Sequence, residues 1–248
     1  IIRRNFNILA VGSIGIYNTF DELKLASDSI IEHVRTDIVK YLQGSSKYHI
    51  TRLQANYFMN PWKSIYTKLS AGIFEPMFNG FGGEILYKPF DQNFGIGAEI
   101  WKVRQRSYRQ LLGHRDYKTL TGHINLYYKE PRYRVLLHLK AGRYLAEDSG
   151  FTFNVSREFK SGLNLGVFFS LTDISKAEFG EGSFDKGFYF NVPIQVFFDQ
   201  YSRGQSGFGL RPLTRDGAQS MVHAQPLWST SYQAHRDQIV YEWDQVYD

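Results

Sequence analysis

The sequence predicts an all-β fold, an antiparallel transmembrane β-barrel of about 12 strands. Three observations carry that expectation. Apolar and polar residues alternate with a period of two along most of the chain. Aromatic residues make up 17% of the sequence, with 17 Tyr, 20 Phe and 4 Trp, and such rings suit pleated, half-buried surfaces. Glycine is frequent too, at 22 residues, which fits bends and crowded faces where a side chain has no room.

The elements follow in order. Residues 6–16 place Phe6, Ile8, Ala10, Ile14 and Ile16 on one face. Residues 21–32 break the pattern and read as a short helix or a loop excursion. The period of two returns over 33–42, where Val34, Thr36 and Ile38 oppose Arg35, Asp37 and Val39. Leu53, Ala55, Tyr57 and Met59 form the next face, and Asn60-Pro61-Trp62-Lys63 is a turn signal. Strands are expected at 65–73, 82–90 and 94–101, with Asp91-Gln92-Asn93 turning the chain between the last two. Residues 104–118 are polar and read as a longer loop. Alternation resumes over 121–129, turns at Glu130-Pro131-Arg132, and continues over 133–141, 151–159, 163–172 and 187–196. A last strand is expected from Ser206 to Leu213.

Most of these 12 segments approach the ~9–11 tilted residues that cross a bilayer, and bacterial barrels favour even strand numbers. Soluble sheets average nearer ~5–6 residues per strand. A large soluble β-sandwich or β-solenoid also alternates and stays open as an alternative. Residues 1–223 are expected to form the barrel. Residues 224–248, with Trp228 and Trp243, alternate less cleanly and are expected to plug or cap it.

Composition excludes several classes. With 0 Cys there is no disulfide framework, thiolate nucleophile or Cys-based metal site. A net charge of +5, spread along the chain, gives no basic stripe of the kind that reads nucleic acid. No apolar run is long enough for a membrane-crossing helix. Ile1-Ile2-Arg3-Arg4 reads as the interior of a longer chain. No phosphate-binding glycine loop and no nucleophile elbow occurs. The seven histidines are scattered, so no metal and no cofactor is expected, and the chain is not expected to be an enzyme.

Charged groups supply the candidate contacts. Asp173, Glu178, Glu181 and Asp185 lie close in sequence, and glycoside hydrolysis needs two carboxyls across one bond. A charged inter-strand loop explains them more simply. Arg211, Arg215 and Asp216 form a second group, able to pair within a lumen or to touch anionic polysaccharide through a bidentate guanidinium. Arg104, Arg106, Arg115 and Asp116 form a third.

Several motifs together carry a resemblance. Gly180-Glu181-Gly182-Ser183-Phe184-Asp185-Lys186-Gly187-Phe188-Tyr189-Phe190, followed by Arg211-Pro212-Leu213-Thr214-Arg215-Asp216-Gly217-Ala218-Gln219, resembles the YjbH/GfcD-like family of exopolysaccharide and capsule biosynthesis proteins. His33-Val34-Arg35-Thr36-Asp37-Ile38, the run from Phe81 through Glu84 to Phe90, Gly113-His114-Arg115-Asp116-Tyr117, Gly142-Arg143-Tyr144-Leu145-Ala146 and Ser156-Arg157-Glu158-Phe159 are similar to it as well. The resemblance implies a Gram-negative outer-membrane protein, often a lipoprotein, predicted to be a β-barrel. The implied partners are outer-membrane lipid, extracellular polysaccharide and other polysaccharide secretion proteins. It implies no catalytic residue, and it adds Arg35 and Glu84 to the candidate lumen or polysaccharide contacts. The expected function is a barrel that assists export or surface assembly of the polymer. A non-conducting scaffold barrel and a polysaccharide-modifying enzyme on a β-fold are the alternatives.

Overall fold

The computed structural model describes residues 5–24, 27, 29–179, 184–194, 205–211, 215–232 and 236. Eleven strands form one antiparallel sheet in sequence order: β1 (Phe6–Ile14), β2 (Tyr48–Trp62), β3 (Ile65–Ile73), β4 (Phe78–Tyr87), β5 (Phe94–Arg106), β6 (His114–Glu130), β7 (Val135–Arg143), β8 (Ser149–Glu158), β9 (Asn164–Thr172), β10 (Asp185–Pro193) and β11 (Gln205–Leu210). Each strand pairs with its sequence neighbours, as tight turns such as 63–64 and 131–134 require.

The expected closed 12-stranded transmembrane barrel is corrected. Among the described residues no ladder joins β1 to β11, so the sheet is open and its count is eleven. The missing strand is 33–42, which instead holds helix α1 (Ile38–Gly44). A strand would put Val34 and Tyr41 on opposite faces, yet both are fully buried in the same core cluster. Asp37 stands at the helix N-terminus, where a negative charge is favoured. Its carboxylate takes His33, Lys40, Tyr108 and Arg115 as partners at 2.7–3.2 Å. Although burial opposes ionisation, the hydrogen bonds from Lys40, Tyr108 and His33 hold this carboxyl down at about 2.

Two loop boundaries also move. The loop expected over 104–118 shrinks to 107–113, because β5 and β6 extend to Arg106 and from His114. A 3-10 turn at Phe20–Glu22 leads into residues 21–32. The expected strand ends at 195–196 and 212–213 lie outside the described residues. Two further short helices, α2 (Lys176–Phe179) and α3 (Leu227–Thr230), complete the elements described. Among the described residues no helix is long and apolar enough to cross a membrane.

The faces of the sheet have inverted polarity. Gln54, Asn56, Lys68, Ser70, Thr121, His123 and Asn125 are buried on the inner face. Leu69, Phe81, Ile85, Ile100, Ile124, Val167 and Phe208 are all at least 48% exposed on the outer face. The compact apolar core sits at one end of the sheet, where Val34, Tyr41, Phe74, Phe78, Trp101, Leu145 and Met221 meet. Residues 215–232 lie against the inner face. They bond to Asn7 on β1, Lys68 on β3 and Lys140 on β7, so the sheet bends round them without its edges joining.

Candidate functional site

The inner face divides at β6. On the β3–β6 side, antiparallel register places Lys68 opposite Glu84, Glu84 opposite Glu99, and Glu99 opposite His123. Directly opposed side chains in a ladder are near neighbours. The Lys68 ammonium is fully buried and lies 2.5 Å from Glu84. It also donates to the Ala224 and Gln225 carbonyls at 3.1 and 3.0 Å and to His223 Nδ1 at 3.0 Å. An ammonium has no acceptor, so His223 Nδ1 accepts and its Nε2 hydrogen points toward Glu99, 3.3 Å away.

Glu99 also takes His123 at 3.1 Å and the Trp101 indole at 3.1 Å. Burial opposes its ionisation, but the bonds from His123 and His223 hold the carboxyl well below the usual range. Glu84, Glu99 and His223 offer donor atoms within 4.8 Å of one another, a spacing that suits a divalent cation. The Lys68 ammonium already supplies positive charge to that set, which argues against an ion there.

The segment that fills this half is anchored by backbone-directed bonds. Asp216 is buried and accepts the Arg35 and Thr36 amides at 2.6 and 3.0 Å and the Thr36 hydroxyl at 2.5 Å. Arg35 in turn spans Glu75 and the Ser220 carbonyl. The Ala218 amide donates to Asp148 at 2.7 Å, and the Leu145 amide to the Gln219 carbonyl at 2.9 Å. Lys88 lies 4.6 Å from the centre of the Trp228 ring. Burial and the neighbouring Lys129 push the Lys88 ammonium down to about 8.

On the β6–β10 side the described residues leave part of the inner face open. Three transverse rows cross it. Asn125, Lys140, Thr152, Ser170 and Asp185 stand opposite one another in turn, as do Tyr127, His138, Asn154 and Phe168, and then Lys129, Leu136, Ser156, Gly166 and Tyr189. Between these rows and residues 218–229 lies a cavity of about 550 Å³, within the size range of small-molecule sites. A second, of about 430 Å³, shares Leu136, Tyr189, Trp228 and Ser229 with it.

Trp228, Tyr127 and His138 form a parallel stack along one wall, with ring centres 4.1 and 4.3 Å apart. Gly95 makes the stack fit, since a Cβ there would come 2.7 Å from the Trp228 ring. Asp185 is buried, with Arg211 3.5 Å from one oxygen, while its other oxygen and the Trp228 indole nitrogen have no hydrogen-bond partner among the described residues. Burial, opposed by Arg211, raises the Asp185 carboxyl to about 6.

The sequence candidates therefore separate. Arg35, Glu84, Asp185 and Arg211 line the larger cavity. Asp216 anchors the segment, and Arg215 lies half-buried beside it. Arg106 is fully buried and donates to five backbone carbonyls, those of Ile50, Glu75, Pro76, Gln110 and Leu111, so it holds loops together. Arg104 donates to the Arg115 carbonyl, and Arg115 pairs with Asp37, away from the cavity. Asp116 and Asp173 are exposed, the latter accepting the Ser149 amide. Glu181 lies outside the described residues. Sequence reasoning missed Lys68, Glu99, His123, His138, Lys140 and His223 as site residues. For the five on strands the signal was polar character on one face of an alternating run, and the ladder register brings them together; His223 carries no such signal and reaches them because residues 215–232 lie on the inner face.

Comparisons with known proteins place the chain. The family model described as "Exopolysaccharide biosynthesis protein YbjH" matches residues 2–232. The chain is 35% identical over 225 residues to the uncharacterized lipoprotein YjbH of Escherichia coli strain K12, covering 87% of this chain and 32% of that protein. It thus spans about a third of that relative's length. No solved structure matches it.

Proposed function

Since the chain belongs to the YjbH exopolysaccharide biosynthesis family, we propose that it is an outer-membrane-associated module whose apolar outer face lies against lipid and whose polar inner face contacts the polysaccharide. The inverted polarity of the sheet carries this reading. A sheet in water hides its apolar face and wets its polar one. Here side chains such as Leu69, Ile100 and Ile124 are 56–59% exposed while Lys68 and Gln54 are fully buried. Exposed apolar surface this extensive marks an interaction site. The E. coli relative is named a lipoprotein, which fits a membrane setting. We read the inner face as a contact surface and not a catalytic one. Asp173 is exposed while Asp185 is buried, and the Glu84 and Glu99 carboxylates are already engaged by Lys68 and the histidines.

Vesicle flotation tests the reading. The full-length protein should float with phospholipid vesicles, and Ile100→Glu combined with Ile124→Glu should abolish flotation. Exposed substitutions in water cost within ~0.5 kcal/mol each, so a protein that stays monodisperse without detergent and tolerates both changes overturns the proposal.

A further inference from the structure

The larger cavity carries an unbalanced set of groups. Of the cations that line it, Arg35 is paired with Glu75 and Arg211 with Asp185. Lys140 touches the Ser220 hydroxyl at 3.3 Å and, among the described residues, has no carboxylate within ion-pair distance. Its charge acts on Glu99 through space and helps to hold that carboxyl ionised, but both Glu99 oxygens are already bonded to His123, His223 and Trp101. The transverse row then runs from Lys140 through the hydroxyls of Thr152 and Ser170 to Asp185, whose second oxygen is buried and has no hydrogen-bond partner among the described residues. One end of the row lacks an anion, the middle is a chain of hydroxyls from Tyr144 through Thr152 to Ser170, in which Ser170 has bonding capacity left over, and the far end lacks a donor. Buried polar atoms left without partners in a cavity of ligand size need water or ligand groups to meet them.

We propose that this cavity binds a carboxylate-bearing sugar unit, a hexuronate, with the sugar carboxylate on Lys140 and a ring hydroxyl donating to Asp185. This rests on the polysaccharide reading above and adds the class of sugar. The order of the groups sets the orientation, since a hexuronate carries its carboxylate at one end of a ring otherwise rimmed with hydroxyls. A neutral sugar leaves the ammonium unmet. The adjoining cavity beyond Trp228 and Tyr189 gives the next unit of a polymer a place to lie.

Isothermal titration of the full-length protein in detergent micelles with two probes, tetragalacturonate and maltotetraose, tests the assignment. Tetragalacturonate should bind at least tenfold more tightly than maltotetraose. Lys140→Gln should remove that preference, Lys140→Arg should keep it, and Asp185→Asn should weaken tetragalacturonate binding several-fold. Equal binding of the two probes, or a preference that survives Lys140→Gln, overturns the hexuronate assignment and leaves the polysaccharide reading standing. If neither probe binds, the polysaccharide contact itself falls together with the assignment, while the lipid contact is still judged separately by flotation.

Discussion

The two halves of the inner face are built from the same kinds of residue and end in opposite states. Between β3 and β6, Lys68, Glu84, Glu99 and His123 each meet at least one partner, with His123 Nε2 alone of the row's nitrogens unmet among the described residues, and residues 223–225 supply partners to Lys68. Between β6 and β10, the row from Asn125 to Asp185 faces a cavity of about 550 Å³ and keeps a free carboxylate oxygen at its end. The difference lies in what covers the row. Polar content alone does not make a binding surface; a polar face becomes a fixed interior where a chain segment satisfies it, and a receptive one where polar atoms are left facing a cavity.

The largest expected effect breaks the filled half. Lys68→Met leaves Glu84 without its ion-pair partner and Glu99 without a nearby positive charge, and removing one partner from a buried ion pair costs about 3–5 kcal/mol. The denaturant midpoint in micelles should fall accordingly, and residues 215–232 should become sensitive to protease. An unchanged midpoint would mean that water or another group already solvates those carboxylates. A smaller effect is expected at the boundary between the halves. Gly95→Ala puts a methyl 2.7 Å from the Trp228 ring, an overpacking worth about 1–3 kcal/mol. Displaced tryptophan emission with a lowered melting temperature should follow, and emission identical to that of the native protein would refute the stacked wall.

The open half should respond least. The Asp185 carboxyl is raised to about 6 in the folded chain from 3.8. Across that interval the folded state binds more protons than the unfolded state, so stability is highest below the lower value and declines as pH rises through the upper one. Asp185→Asn removes that decline. Below pH 3.8 the variant should match the native protein, the gap should already be open at pH 5, and at pH 7 the variant should exceed the native protein by about 1 kcal/mol or more. A clear loss at pH 7 would place Asp185 in the same structural class as Lys68.

Much of the sheet was readable from alternation. The strand expected at 65–73 coincides with β3, and those near 94–101, 121–129 and 163–172 fall within or close to β5, β6 and β9. Residues 33–42 misled because Val34, Thr36 and Ile38 alternate for only three steps. The burial of Tyr41 and the charge at Asp37 favour a helix there. The open edge was not readable, because it depends on whether β1 and β11 meet, and no local pattern encodes that. At the site, charge within motifs drew attention to Arg35, Glu84, Asp185 and Arg211. Lys140 and Glu99 passed unnoticed as single charges in apolar strands. A register change of one residue would have turned either to the other face, so their juxtaposition exists only in the ladder.

The tie between Asp216 and the Arg35 and Thr36 amides joins points 181 and 180 residues apart. Asp216 follows all eleven strands in the chain, so the tie cannot close until the last of them has been synthesised. Contacts of such separation form slowly, since the loop they close must first lose its freedom. Until then the row from Lys68 to His123 lacks the partners contributed by residues 223–225, and the nascent sheet carries unmet charge on the face that will become its interior. Maturation of this molecule therefore has a late, identifiable step, the seating of residues 215–232 on the inner face.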